Sequence, residues 1–268
     1  MVRASRVGAA ALALAIATAL ALALARLAGA AVPAAALLGA LGALLGVIGW
    51  GVFSLRSGVF ARPILAASST GNRLALTFDD GPDPEHTRAV LDLLESRGHR
   101  GTFFVIGARA EKQAALVDEI ARRGHGLGNH SFAHSYLTPL RSPSRLAEEL
   151  DRASSLLARA SGAPPRWFRP PVGLLSPPVV EAARRAHLEL VGWTASARDG
   201  VASATVEKAA ARLRPHLRAG AILVLHDAVE RGARAPIAAA VLAGLLDELD
   251  RRGLKSVPLD ELLGRGAH

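Results

Sequence analysis

Charged residues are missing from two long stretches at the start of the chain. Val7 to Ala25 carries none and Leu27 to Leu55 carries none, with Arg26 the single break between them. About 20 apolar residues cross a bilayer as a helix, so the pattern predicts two spans, near 7–25 and 32–53. Trp50 and Phe53 suit the interface at the far end of the second. Small residues around Ala28–Ala30 offer a cleavage site, which makes a signal peptide the competing reading. The first apolar stretch is longer than a usual leader core, and that favours a retained anchor. A soluble pair of alanine-rich helices is the third reading. Residues 1–67 are assigned to an N-terminal membrane segment. Arg3 and Arg6 precede the first span, and Arg56 and Arg62 follow the second. A hairpin with positive ends inside puts the remainder in the cytoplasm; a cleaved leader or one retained span puts it outside. The expectation is a cell-membrane protein whose larger part faces the envelope side.

After the polar linker Ser68–Asn72 the pattern changes. Apolar runs of four to six residues alternate with longer amphipathic segments, and no internal repeat is present. The runs Leu74–Phe78, Thr102–Ile106, Gly126–Asn129, Trp167–Arg169, Leu188–Trp193, Ala221–Leu225 and Lys255–Pro258 predict strands. Helices are predicted near 85–97, 108–123, 143–161, 176–187, 203–214 and 235–252. Spacings such as Val90, Leu91, Leu94 and Leu116, Val117, Ile120 give each helix one apolar face. Strand alternating with helix implies parallel pairing. Seven such strands predict an α/β fold, a (β/α)7-type barrel one unit short of the usual eight.

Composition narrows the chemistry. The chain has 268 residues, a net charge of +9 and no cysteine. Disulfides and thiolate metal sites are therefore excluded, which leaves His, Asp and Glu as ligands. The arginines are scattered rather than clustered and aromatics make up only 4% of residues, so a nucleic-acid partner is not expected.

Chemistry in parallel α/β folds collects at the C-terminal ends of the strands. Asp79 and Asp80 end the first predicted strand, His130 and His134 the third, and Arg169 the fourth; Trp193 and Asp199 follow the fifth, and His226 ends the sixth. His130 and His134 are four apart, so on a helical turn their rings share a face. Two imidazoles and one carboxylate leave a divalent metal open positions for water and substrate. One of the adjacent aspartates then sits on the metal and the other is free to act as a general base. His226 can serve as a general acid if Asp199 keeps it protonated, and Arg169 can pair with the base. These are the parts of acyl hydrolysis. Each motif alone has a plainer reading: a solvated turn, a chance H-x-x-x-H, a capping aspartate, a surface arginine before two prolines. Trp167 and Trp193 read as core, and His86, His99, His125, His187, His216 and His268 as ordinary. Specificity lies in the conjunction.

That conjunction carries a resemblance. "TFDDGPD", "HSFAH", "RPPVG", the Trp193–Asp199 segment and "LVLH" resemble the five motifs of the polysaccharide deacetylase family, the NodB-homology or carbohydrate esterase family 4 domain. The likeness runs from about Asn72 to Leu263, so 72–263 is assigned as the catalytic domain. "GTFFVIG" (Gly101–Gly107) resembles the family's second strand. The resemblance implies a distorted barrel and metal-dependent, usually zinc-dependent, removal of N- or O-acetyl groups from sugars. It implies Asp79 as base, Asp80, His130 and His134 as ligands, Arg169 and Asp199 as supporting groups and His226 as acid. Val172 stands where the family often has Tyr, and its backbone N–H keeps the family's oxyanion role available. Gly200 stands where the family often has Trp, and Val224 is expected to line a small acetyl pocket. The loss of aromatic walls suits a small or membrane-held glycan better than a crystalline polymer. The expected partners are an N-acetylated glycan or a lipid-linked sugar, together with the bilayer. A deacylase acting on a lipid-linked sugar at the cytoplasmic face and a non-catalytic glycan-binding module are the alternatives.

Overall fold

A computed structural model describes residues 5–68, 71–229 and 235–265. Arg3, His268 and the linker residues Ser69 and Thr70 lie outside these. Two apolar helices come first, α1 (Arg6–Leu27) and α2 (Ala34–Phe53), antiparallel and packed on each other. The Ser5 hydroxyl caps α1 by accepting from Gly8 N at 2.8 Å. At the tip of the hairpin, Arg26 donates to the Val32 carbonyl at 3.2 Å. Among the described residues, it is the opposite end that touches the rest of the molecule. There a Cβ on Gly8 would lie 2.6 Å from the backbone of Gly58, so glycine is required for the approach.

The remainder is a curled, mostly parallel sheet covered by helices. Its elements are β1 (Arg73–Asp79), α3 (His86–Ser96), β2 (Gly101–Val105), α4 (Gly107–Lys112), α5 (Ala114–Arg122), β3 (Gly126–Asn129) and α6 (Pro143–Ser161). They continue with β4 (Trp167–Phe168), α7 (Pro177–Arg185), β5 (Glu189–Leu190), β6 (Ala195–Ser196), α8 (Val206–Leu213), β7 (Ile222–His226), α9 (Ala238–Arg251), β8 (Lys255–Ser256) and α10 (Leu259–Leu262). The strand order is β5-β4-β3-β2-β1-β7-β6, with β8 pairing the start of β1.

Alternation along the strands divides the core. Leu74, Leu76 and Phe78 of β1 point outward to Val90, Leu91 and Leu94 of α3 and to Leu242 and Leu245 of α9. Ala75 points inward, where it joins Phe104, Trp167, Val191, Ile222, Leu259 and Leu262. The barrel is therefore plugged from below by apolar side chains, and its polar chemistry can stand only at the other end. Residues 64–67 bridge the gap between the two edges. Ile64 N donates to Leu190 O at 2.9 Å, and Ala67 N donates to Gly220 O at 2.8 Å.

Several predicted elements change. The helix expected over 108–123 is two helices, broken at Gln113 (φ −127°). Ala110 and Leu116 are both buried but six residues apart, about 240° around a single helix, and the break brings both to the core. The sequence pattern does not predict strand β6, because Ala195 and Ser196 are half-buried and have no apolar alternation. Its presence makes His226 the end of the seventh strand rather than the sixth.

Candidate active site

Parallel register brings the first two groups together. Asp79 of β1 pairs with His226 of β7. Neighbouring strands run about 4.8 Å apart, so the two residues stand side by side on the rim. Both also lie on the inward-facing set of their strands, above Ala75 and Ile222.

Beneath Asp79 lies Arg169, which is 0% exposed. Its Nη1 donates to Asp79 Oδ1 at 2.6 Å and to Thr77 Oγ1 at 2.8 Å, and its Nη2 donates to the Gly192 carbonyl at 2.9 Å. The guanidinium lies 4.1 Å over the Phe104 ring. Burial pulls the guanidinium pKa below its ordinary value, and Asp79 opposes that. The base expected from sequence is thus clamped from below by a charge that water does not reach.

Asp80, also buried, adopts φ 75°. Its Oδ1 lies 3.4 Å from His130 Nε2 and 3.2 Å from His134 Nε2, and among the described residues it accepts no hydrogen bond. His130 Nδ1 sits 2.7 Å from the Arg169 carbonyl oxygen. A carbonyl only accepts, so the proton of neutral His130 is on Nδ1, and Nε2 presents a lone pair. A carboxylate oxygen and an imidazole lone pair facing each other without a shared hydrogen fit a cation. The ligand atoms of Asp80, His130 and His134 all lie within 4.8 Å of one another. Two nitrogens and one oxygen suit zinc or a similar divalent ion. Burial works to raise the Asp80 pKa, but the close approach of His130, with His226 and His134 beyond it, outweighs burial and holds the group well below the carboxylate range.

The two histidines do not share a helical turn. Residues 130–134 form a loop, with Ser131 and His134 at φ 64° and 47°. Asn129 at the end of β3 shapes it. Its Oδ1 accepts from Ser131 N at 2.8 Å, and its Nδ2 donates to Leu150 O at 2.8 Å and Ser154 Oγ at 3.0 Å on α6. Ser131 Oγ in turn accepts from His134 N at 3.0 Å.

His226 Nδ1 lies 2.7 Å from Asp199 Oδ1, and its backbone N donates to Asp199 Oδ2 at 3.0 Å. Burial works to lower the imidazole pKa, but the hydrogen bond and charge of Asp199, with Asp79 and Asp80 beyond, push it up to about 9. His226 is therefore an imidazolium at neutral pH and can donate a proton from Nε2.

Val172 sits in the turn after β4, 53% exposed, at φ 57°. Left-handed backbone is rare for a β-branched residue, and such strain collects at functional sites. Val224 is buried, on the same side of β7 as His226. It does not line the cavity of about 160 Å³ beside the ligands, which is bounded by Asp80, Ile106, Ala108, Arg109, Ala133, His134 and Tyr136. Trp193 is half-buried, packed over Gly173. His99 and His125 serve as buried acceptors for the backbone of Ser256 and Gly101.

Three contributors were not singled out from the sequence: Thr77, Asn129 and Asp227. Asp227 is fully buried beside Gly81, where a Cβ would meet its Oδ2 at 2.5 Å. It accepts from Thr87 Oγ1 at 2.5 Å, and burial pushes its pKa up to about 7. Its position directly after His226 was the available signal; Asn129 likewise directly precedes His130.

The family model described as polysaccharide deacetylase matches residues 66–191. The chain is 34% identical over 192 residues to a peptidoglycan-N-acetylglucosamine deacetylase of Bacillus cereus, covering 71% of this chain and 87% of that protein. It is 33% identical over 196 residues to a chitooligosaccharide deacetylase of a Bradyrhizobium species, covering 70% and 89% respectively. A solved family 4 acetyl xylan esterase from Clostridium thermocellum, in complex with a cobalt ion, superimposes with a TM-score of 0.64 at 32% identity, over 72% of this chain and 90% of that one.

Proposed function

The chain belongs to the polysaccharide deacetylase family, and on that premise we propose that it is a membrane-anchored, metal-dependent hydrolase removing N-acetyl groups from a cell-envelope glycan. The observation that carries this reading is the convergence on one rim of an Asp79–Arg169 pair, an Asp199–His226 pair and the cluster of Asp80, His130 and His134. The named substrates of the two relatives, peptidoglycan N-acetylglucosamine and chitooligosaccharide, support an N-acetylated sugar.

Asp80, His130 and His134 would hold one divalent ion, with zinc favoured by the donor set. When bound, the ion supplies Lewis acidity, polarising the acyl carbonyl and easing deprotonation of the attacking water. Asp79 takes the proton from that water, and Arg169 fixes its carboxylate through the 2.6 Å contact. As the water oxygen bonds to the acyl carbon, the carbon–nitrogen bond breaks. The leaving nitrogen takes its proton from His226, which Asp199 keeps charged. The products are acetate and a free sugar amine. The backbone at Val172 is the proposed donor to the carbonyl oxygen, and Val224 packs behind His226 rather than against open space.

The hairpin supports the anchoring. Only 6% of the most apolar window of α1 and 11% of that of α2 is buried, which sets them apart from core helices of a soluble protein. The cell membrane is the proposed location.

Acetate release from N-acetylglucosamine oligomers tests this reading. The purified chain should release acetate, stop when a chelator strips divalent ions, and recover when zinc is restored. No release with any divalent ion would overturn it.

A further inference from the structure

The point where the hairpin leaves the barrel coincides with the catalytic rim. Helix α2 has 20 residues, about 30 Å at 1.5 Å per residue, which is the thickness of a bilayer core with nothing to spare. Its last turn is already in contact with the barrel: the Val52 carbonyl accepts from Leu175 N at 3.0 Å. Leu175 belongs to the connection that begins at Arg169 and passes through the Val172 turn. The next residue, Ser176, donates to the Pro139 carbonyl at 2.9 Å and so ties in the loop that follows His134. An α2 that crosses the bilayer therefore leaves the barrel no room to stand off from it, and the side nearest the lipid includes these two loops.

Those loops carry apolar side chains that none of the described residues covers. Leu137 is 64% and Leu140 is 82% exposed, and Val172 is also exposed. Trp50 and Phe53 are likewise exposed at the end of α2, where interfacial aromatics belong. The exposed Arg145 stands with Leu140, Arg141 and Ser142 around a shallow hollow, placing a cation beside the leucine as anionic headgroups require. On the same loop, Tyr136 lines the cavity that contains Asp80 and His134.

We propose that the barrel rim at Leu137, Leu140 and Val172 rests in the lipid–water interface, so that the site receives an N-acylated sugar held at the bilayer surface rather than one diffusing in from solution. This rests on the anchoring and deacetylase readings above and adds the orientation of the mouth and the state of the substrate. It holds on either side of the membrane, because the hairpin and the rim stay on one side of the barrel.

The absence of cysteine allows single-site labelling. The full chain, carrying L137C, L140C or R122C and a polarity-sensitive fluorophore, is reconstituted into phosphatidylcholine–phosphatidylglycerol vesicles containing spin-labelled lipid. Arg122 is exposed at the end of α5 that leads into the start of β3, on the plugged side. Fluorescence at 137 and 140 should be quenched several-fold more than at 122. Equal quenching at all three positions, or none at 137 and 140, overturns the proposal; burial of these leucines against a second copy of the chain would give the latter. The double variant Leu137→Glu, Leu140→Glu should lose activity several-fold on an N-acetylglucosaminyl lipid in vesicles and keep the wild-type rate on soluble oligomers. Equal loss on both substrates, or no loss on either, also overturns it. Quenching at 137 and 140 without acetate release from either substrate would uphold the interfacial rim and defeat the deacetylase reading instead.

Discussion

Arg169 is a full charge where water does not reach, and among the described residues its only ionic partner is Asp79. Removing one member of a buried pair strands the other, at a cost of about 3–5 kcal/mol. Arg169→Met should lower the unfolding free energy obtained from urea titration by that order, with a correspondingly lower midpoint, as well as abolish acetate release. A midpoint equal to wild type would mean that Asp79 is not held as described. His226 makes a prediction about pH. Its folded pKa is raised from 6.5 to about 9, so the charged form is the one the fold favours. The stability drawn from the Asp199–His226 pair is complete below about 6.5 and is lost as pH rises through about 9. Acid catalysis by His226 should fade over the same alkaline window. Asp199→Asn removes the partner that raises the pKa, so the alkaline limb of the rate profile should move toward neutral pH. Initial rates of acetate release between pH 6 and 10 are the measurement; an unmoved limb would exclude His226 as the acid.

At the scale of elements, the ligands depend on how a loop is tied down. Asn129 holds the 130–134 segment to α6 through two donated bonds and one accepted bond. Loss of an outer partner of metal-binding residues typically weakens binding by about 10–100-fold. Asn129→Ala should therefore bind zinc more weakly by that order in competition with a chromophoric chelator, with all three ligands present. The turn at Val172 makes the opposite kind of prediction. Left-handed backbone costs a valine about 1–3 kcal/mol and a glycine almost nothing. Val172→Gly should raise the melting temperature, and a fall would show that the valine side chain contributes packing that offsets its strain. These loops also mark where sequence reading stopped. Asp79, Asp80, His130, Arg169 and His226 were legible because each closes or directly follows a run that became a strand, and His134 through its spacing from His130. The conformation between His130 and His134 was not, because a four-residue spacing is compatible with a helical turn, and the loop is selected by side-chain bonds at Asn129 and Ser131. The bridging segment 64–67 escaped notice for a similar reason. Its order comes from hydrogen bonds to two sheet edges that are distant in sequence, Leu190 and Gly220, and not from any period of its own.

The whole molecule joins a plugged barrel to a two-helix hairpin through residues 54–60, and the two parts do different work. The barrel's apolar floor of Phe104, Trp167, Ile222 and Leu259 keeps water and charge at the opposite end. The hairpin leaves almost all of its apolar surface uncovered. The full chain should therefore sediment with membranes and come into solution only with detergent; release by high salt or alkaline carbonate would refute a spanning hairpin. The claim on which the enzyme reading stands is narrower: three side chains hold one metal while the neighbour of one of them stays off it. The most direct test is metal content together with acetate release, measured on the wild type, Asp80→Ala and Asp79→Asn. The account predicts one divalent ion per wild-type chain, none in Asp80→Ala, and a full complement but no turnover in Asp79→Asn. A wild-type metal content in Asp80→Ala, or undiminished acetate release by Asp79→Asn, would contradict it.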